Sequence, residues 1–233
     1  MPHSKDIDHD EDPQNVEEEQ QQIQDDSTDQ QVAEEEAALV TVFEDPVNFT
    51  VKHPLQSRWT LWYLNSQRKA NQNNWNQNLK KIITFETVED FWGVFNNIIK
   101  PSQTAPGSDY HLFKEGIQPT WEDPANEQGG KWVCTIRKKD EDLDTKWLNT
   151  MLLCVGAMLP DYDQVNGVVI SIRRQQDRIA LWTATNEKDA CERSGRQLKR
   201  VLELPENVRI GFQAHADAAA KNSSFANDDL YTV

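Results

Sequence analysis

Large side chains alternate from Trp59 to Leu64, with Trp59, Leu61 and Tyr63 on one side and Thr60, Trp62 and Leu64 on the other. This period of two predicts a strand covered on both faces. The stretch from Asn65 to Asn78 is rich in Asn and Gln, with Trp75 as its only large apolar group, and reads as a loop with one anchor. Leu79 to Phe85 gives a second strand. Thr87, three residues before Asp90, then offers a helix N-cap, and Val88, Phe91, Trp92, Phe95, Ile98 and Ile99 follow helical spacing until Lys100-Pro101 ends the pattern. Between Pro101 and Gly130 the chain is irregular, with a short extended piece at Tyr110 to Phe113, and functional loops are expected there. Lys131 to Lys138 predicts a strand. An acidic turn at 140–144 leads into Trp147, Leu148, Met151, Leu152 and Val155, a second amphipathic helix stopped by Gly156. Gly167 to Arg174 and Arg178 to Thr185 predict a hairpin about the turn Gln175-Gln176-Asp177. A third helix over Glu187 to Leu204 ends at Pro205, and Val208 to Phe212 forms a last strand. Nearly all connections between strands are too short for parallel crossovers, so the fold class is α+β, a single antiparallel sheet with helices on one face.

Charge divides the chain in two. Residues 1–45 hold 16 acidic side chains against the single Lys5, which is the whole net charge of −15, and the remainder is balanced. The opening segment cannot bury enough apolar surface to offset the entropy of ordering and is expected to be a disordered acidic tail, with one domain over 46–233. No basic stretch followed by an apolar run opens the chain, and no apolar run is long enough to span a bilayer, so neither signal peptide nor membrane span is expected. Cys134, Cys154 and Cys191 show no CxxC spacing and the five histidines no ligand motif, so no metal or cofactor is expected. Gly-rich phosphate loops, nucleophile elbows and zinc-protease helices are missing, and the chain is not expected to be an enzyme. His53, His111 and His215 read as structural.

Eight tryptophans, all between Trp59 and Trp182, are the unusual feature. Trp92 and Trp147 lie on apolar helix faces and read as core or a partner groove. Trp121 sits in a loop beside Glu122. Taken alone, that pair reads first as a loop anchor next to a solvated acid. It also suits a flat cationic ring bearing N–H donors, since an indole face attracts the cation and the carboxylate accepts the hydrogens. Arg173, Arg174 and Arg178 flank a hairpin turn, either as plain solvated surface or as a patch able to hold a few phosphates. With the domain neutral overall, binding along a nucleic-acid backbone is disfavoured, and a small nucleotide or an RNA end is the better ligand.

Several blocks carry a family resemblance: HPLQSRWTLWYLN, TVEDFWGVFNNI, YHLFKEGIQPTWEDP followed by GGKW, KWLNTMLLCVG, RIALWT and IGFQAHADAAAK, in order over most of residues 50–221. The chain resembles the eukaryotic translation initiation factor 4E family, the messenger RNA cap-binding proteins. The resemblance implies one curved antiparallel sheet of about eight strands, three helices on its convex face and a pocket for 7-methylguanosine triphosphate on its concave face. It implies that Trp62 and Trp121 sandwich the methylated base, that Glu122 pairs with its N1 and N2 hydrogens, that Trp182 contacts the methyl group, and that Arg173 and Arg178 hold the phosphates, with Lys131 and Lys221 in support. It also implies a convex docking surface at His53, Pro54, Leu55, Val88, Trp92, Leu148 and Leu152. There the scaffold initiation factor 4G and competing 4E-binding regulatory proteins would lay a helix, the chain being a monomer within a heteromeric complex, cytoplasmic or nuclear as well. Gln175 and Asn149 stand where the resemblance would have Lys in some relatives and Glu in many, at one phosphate contact and one partner contact.

Three other readings compete. A cap-binding translational repressor of the same fold is disfavoured by Trp59 and Trp75, where repressors tend to carry other aromatics. A cap-hydrolysing enzyme would need a helical cluster of carboxylates that the sequence lacks. An adaptor with a vestigial pocket is the third.

Overall fold

The computed structural model describes residues 39–65, 78–138, 142–221 and 227–233. Most of the acidic segment and the Asn- and Gln-rich loop with Trp75 lie outside the described residues. The chain divides into two units, one ending at Lys52 and one running from His53 to Val233. In the first, residues 39–52 form a turn in which the Glu44 carboxylate accepts from the Thr41 N–H at 2.8 Å and the Asp45 carboxylate accepts from the Val47 N–H at 2.8 Å.

The second unit is an eight-stranded sheet. Its strands are Pro54–Leu64 (β1), Leu79–Thr87 (β2), Asp109–Lys114 (β3), Gly130–Arg137 (β4), Val165–Ser171 (β5), Gln176–Thr183 (β6), Gly211–Ala214 (β7) and Tyr231–Thr232 (β8). They lie in the order β2-β1-β3-β5-β6-β4-β7-β8, and every pairing is antiparallel. Among the described residues there are three long helices, Val88–Asn97 (α1), Leu143–Val155 (α3) and Lys188–Val201 (α4), and two short ones, Pro124–Glu127 (α2) and His215–Lys221 (α5). The three long ones are those expected. The short ones were not; α2 starts from an Asp123-Pro124 cap, and α5 follows the short strand β7 directly.

Alternation decides which face is dry. Trp59, Leu61, Tyr110, Leu112, Trp132, Cys134, Val168, Ile170, Ile179, Leu181 and Phe212 project from their strands into one core shared with Phe91 of α1, Trp147 and Met151 of α3, and Cys191 and Leu198 of α4. The opposite face carries a small separate cluster of Phe113, Val169, Ala180 and Trp182. Trp92 and Trp147 therefore part company. Trp147 is fully buried, whereas Trp92 is 37% exposed.

Helix ends follow local chemistry. The Thr87 side chain accepts from the Asp90 N–H, and Glu187 accepts from the N–H groups of Asp189 and Ala190 at the start of α4. Asp144 in the first turn of α3 accepts from the Ser102 hydroxyl at 2.6 Å, tying that helix to the chain after α1. The hairpin turn lies earlier than expected. β5 stops at Ser171 and β6 already begins at Gln176, because Asp177 is a buried strand residue whose carboxylate reaches back to the Arg173 N–H at 2.9 Å and takes Lys138 at 2.6 Å. The last predicted strand is likewise shifted, from Val208–Phe212 to Gly211–Ala214, since Val208 closes a turn on the Pro205 carbonyl.

One close approach fixes α4 on the sheet. A Cβ placed on Gly195 would stand 2.4 Å from the Trp132 indole, whose Nε1 donates to the Cys191 carbonyl at 2.8 Å. Gly195→Ala is expected to lower stability by about 1–3 kcal/mol through overpacking, despite alanine's better helix propensity. A urea midpoint equal to that of the unmodified protein would contradict this packing account.

Candidate functional site

The face of the sheet turned away from the three long helices collects the chemistry. Trp62 and His111 are direct cross-strand partners on β1 and β3, and alternation puts Asp109 and Phe113 on the same side. On the next strands Ser171 stands opposite Arg178 and Lys131 opposite Trp182. The Lys131 Nζ lies 5.9 Å from the centre of the Trp182 ring, which packs edge-on against Phe113 and 4.1 Å from the His215 imidazole.

The cations along this face feel one another. Burial and then the neighbouring Arg178 push the Lys131 ammonium down to about 8. Burial and then Arg173 lower Arg178 in turn. Burial, followed by the charge of Lys131, pushes His215 down to about 3. Burial and like charge thus both act against the charged forms of Lys131 and Arg178, and an anion laid beside them would favour those forms. Arg173 differs from its neighbours. Its guanidinium forms a two-pronged pair with the buried carboxylate of Asp109, at 2.7 and 3.2 Å, and also donates to the Ile172 carbonyl at 3.0 Å. The hairpin therefore presents Arg173 already neutralised by a partner that the sequence pattern did not single out.

Trp121 and Glu122 stand on the connection between β3 and β4, Trp121 half-buried and Glu122 exposed. This loop is firmly held. Gly116 turns it at φ 86°, Asp123 accepts from the Gln118 and Ala125 N–H groups, and the fully buried Asn126 donates to the carbonyls of Gln118 and Thr120 at 2.9 and 2.7 Å. Asn166 of β5 closes the network by donating to the Asn126 side chain at 2.9 Å. Asn126 was not read as functional from sequence. The Asp-Pro cap three residues before it is the signal that could have found it. Trp62 sits in mid-strand, its ring half-buried and its Nε1 buried without a hydrogen-bond partner. Lys221, the last residue of α5, is exposed and pairs with Asp228 at 3.3 Å. Arg173, Arg178, Lys131 and Trp182 are thus brought together, whereas Lys221 stands in an ion pair of its own.

On the helix-covered side, His53 is clamped to the start of α1. Its N–H donates to Glu89 at 2.8 Å, its imidazole Nδ1 lies 2.7 Å from the same carboxylate, and its carbonyl accepts from the Val88 N–H. Pro54 opens β1 from this clamp, and Leu55, Leu148 and Leu152 pack partly buried against the core. Trp92 is braced edge-on by Phe91 and Phe95 with its outer part open. Among the described residues no group of His, Cys, Asp or Glu is placed to hold a metal ion, and no helix is long and apolar enough to cross a membrane.

Residues 54–230 match the model of the eukaryotic initiation factor 4E family. The chain belongs to that family. It is 44% identical over 178 residues to human eukaryotic translation initiation factor 4E, covering 75% of this chain and 81% of that one, and 43% identical over 179 residues to the factor of Candida albicans, covering 75% and 85%. Among solved structures it is similar, with a TM-score of 0.71 and 36% identity, to an initiation factor 4E-3 from C. elegans in complex with the 4E-binding protein Mextli and a cap analogue, covering 78% of this chain and all of that one. The 4E-3 protein of Ascaris suum bound to an m7G cap gives the same TM-score at 35% identity, with 78% and 98% covered. Within this 4E fold the face turned away from the three long helices carries the cation row, and the face they cover carries the braced tryptophan.

The two buried histidines of this face give a stability prediction. His111 is pushed down to about 4 by burial, with Asp109 opposing and Arg173 adding to the shift, and His215 to about 3. Both folded-state values lie below that of an exposed histidine, so the unfolded chain binds more protons, and stability falls as pH drops below about 6.5. Urea unfolding is expected to show a lower midpoint at about pH 5 than at about pH 7.5, smaller in a His111→Phe variant. Equal midpoints would mean that neither imidazole is held neutral.

Proposed function

We propose that the chain binds the 7-methylguanosine cap at the start of messenger RNA and brings it to the translation initiation machinery through a helical segment of a scaffold factor. What carries this reading is the row of desolvated cations beside Trp182, next to a rigidly pinned loop that offers Trp121 and Glu122. In it Arg178, Lys131 and Arg173 hold the phosphates, Lys221 adds to them from the end of α5, and Trp182 meets the methylated edge of the base. Glu122 accepts the guanine N1 and N2 hydrogens, while Trp121 stacks on the cationic ring. Stacking supplies about 1–3 kcal/mol per aromatic platform, and the methyl group's positive charge strengthens both the stacking and the carboxylate contact. The binding unit is residues 46–233, with the acidic segment outside it, and it works as a binder in the cytoplasm without a reaction of its own.

The second indole can come from two places. Trp62 is what the resemblance implies, but it is a strand residue with one edge of its ring buried. Trp75 has only Asn and Gln as its nearest neighbours in sequence and no apolar group beside it to enclose it, the same argument that singles out Trp121. That observation favours Trp75 as the second platform. Retention on a cap-analogue resin tests both parts. Trp121→Ala and Glu122→Ala are expected to abolish retention with the thermal midpoint unchanged, and normal retention by both would end the cap assignment. Trp75→Ala is expected to lose retention and Trp62→Phe to keep it, and the opposite result would return the platform to Trp62.

We place the partner surface at Trp92 and Val88 on α1, Leu148 and Leu152 on α3, and the His53-Pro54-Leu55 clamp. An amphipathic helix laid there would bury the open part of the braced indole. Trp92→Ala is expected to weaken scaffold-peptide binding by more than about 2 kcal/mol while the protein still elutes from cap resin only with free cap. Unchanged peptide affinity would remove this surface from the proposal.

A further inference from the structure

Asp109 and His111 have no part in the reading above, yet Asp109 pairs with its phosphate-binding arginine and His111 stands two residues along on the same strand face. They are neighbours two residues apart on β3, on the same face, 5% and 4% exposed. Asp109 holds Arg173 in the two-pronged pair already described, so the guanidinium brings little net charge to an incoming anion. A phosphate that draws on Arg173, or merely approaches it, leaves the buried carboxylate facing a second negative charge, which is costly unless a cation compensates it.

The groups around His111 leave few sources for that cation. On its own strand it faces Asp109 and the Phe113 ring. From β1 come Thr60, Trp62 and Leu64, and from β5 Gly167, Val169 and Ser171, none of which titrates. The hairpin contributes Arg173, with Arg178 one strand further and Lys138 engaged by Asp177. Among the described residues, the imidazole is the group beside Asp109 able to change its charge near neutral pH.

We propose that His111 takes up a proton from solvent when a phosphate chain engages Arg173, so that Asp109 passes from one cationic partner to another and ligand binding is linked to protonation. This rests on the cap reading, because the phosphates must lie at Arg173. The imidazolium forms without any bond being broken elsewhere, and the proton returns to water when the ligand leaves. His111 is a positioning residue here. It touches Asp109's environment rather than the ligand and sets how freely Arg173 can turn to phosphate. The direction of its unliganded value agrees, since burial and Arg173 keep the empty site's imidazole neutral.

Calorimetric titration of the full chain with a dinucleotide cap tests this, because the bridging phosphates of that probe do not titrate below neutral pH. At about pH 6 Lys131 already carries its proton, so its own shift does not contribute. Measured in two buffers of different ionisation enthalpy, binding is expected to take up a sizeable fraction of one proton, with affinity rising by up to about tenfold per pH unit lowered, the limit for a single linked proton. His111→Gln is expected still to bind but without proton uptake and with affinity flat across the range. His215→Gln serves as control and is expected to keep the uptake. Binding without uptake by the unmodified protein, or uptake unchanged in His111→Gln, overturns the inference and leaves the cap reading standing. No binding at any pH overturns both.

Discussion

The structure depends on one constraint, the strict alternation of side chains across a single eight-stranded antiparallel sheet, which lets its two faces meet opposite demands. One face must be dry. Trp59, Trp132 and Trp147 are fully buried there, and three amphipathic helices close it. The other face carries only a small apolar cluster, so it can hold Lys131, Arg178, the Arg173-Asp109 pair and two buried imidazoles, with burial and like charge opposing the charged forms of Lys131 and Arg178. A one-residue slip in any of the central strands would exchange the two sets.

Precision on the second face comes from connections fastened by hydrogen bonds and ion pairs. The loop carrying Trp121 and Glu122 is fastened through Asn126 to Asn166 on β5, a strand that also lies under the small Phe113-Trp182 cluster. The hairpin carrying Arg173 and Arg178 is fastened through Asp177, which holds both the Arg173 backbone and the Lys138 side chain. The groups proposed to read the base and those proposed to hold the phosphates thus share one scaffold, and their spacing is set by the sheet rather than by loops alone.

Much of this was legible in the chain because period and punctuation agree. The three long helices carry apolar spacing bounded by caps or breakers, and the strands from β1 to β6 follow their β-rich runs. The misplacements have a common cause, a polar residue read as turn chemistry or an apolar one read as strand where tertiary contacts decide. Asp177 has turn composition but is buried in β6, and Val208 has strand composition but closes a turn on Pro205. The two-residue β8 carries too little sequence to be seen at all. At the site, the basic residues of the hairpin were visible as charges and Lys131 only through the family resemblance, whereas the Asp109 pairing and the Asn126 network were not, because they join residues forty or more positions apart or sit inside a segment with no periodicity.

The central claim, that this 4E-family chain holds a cationic purine between aromatic faces with an acid reading its edge, is tested most directly by titrating intrinsic tryptophan fluorescence with a 7-methylguanosine cap analogue and with its unmethylated counterpart at matched salt. The account predicts strong saturable quenching by the methylated ligand and much weaker binding of the other, a gap that raised salt leaves in place while weakening both. Equal affinity for the two, or no quenching by either, would contradict it.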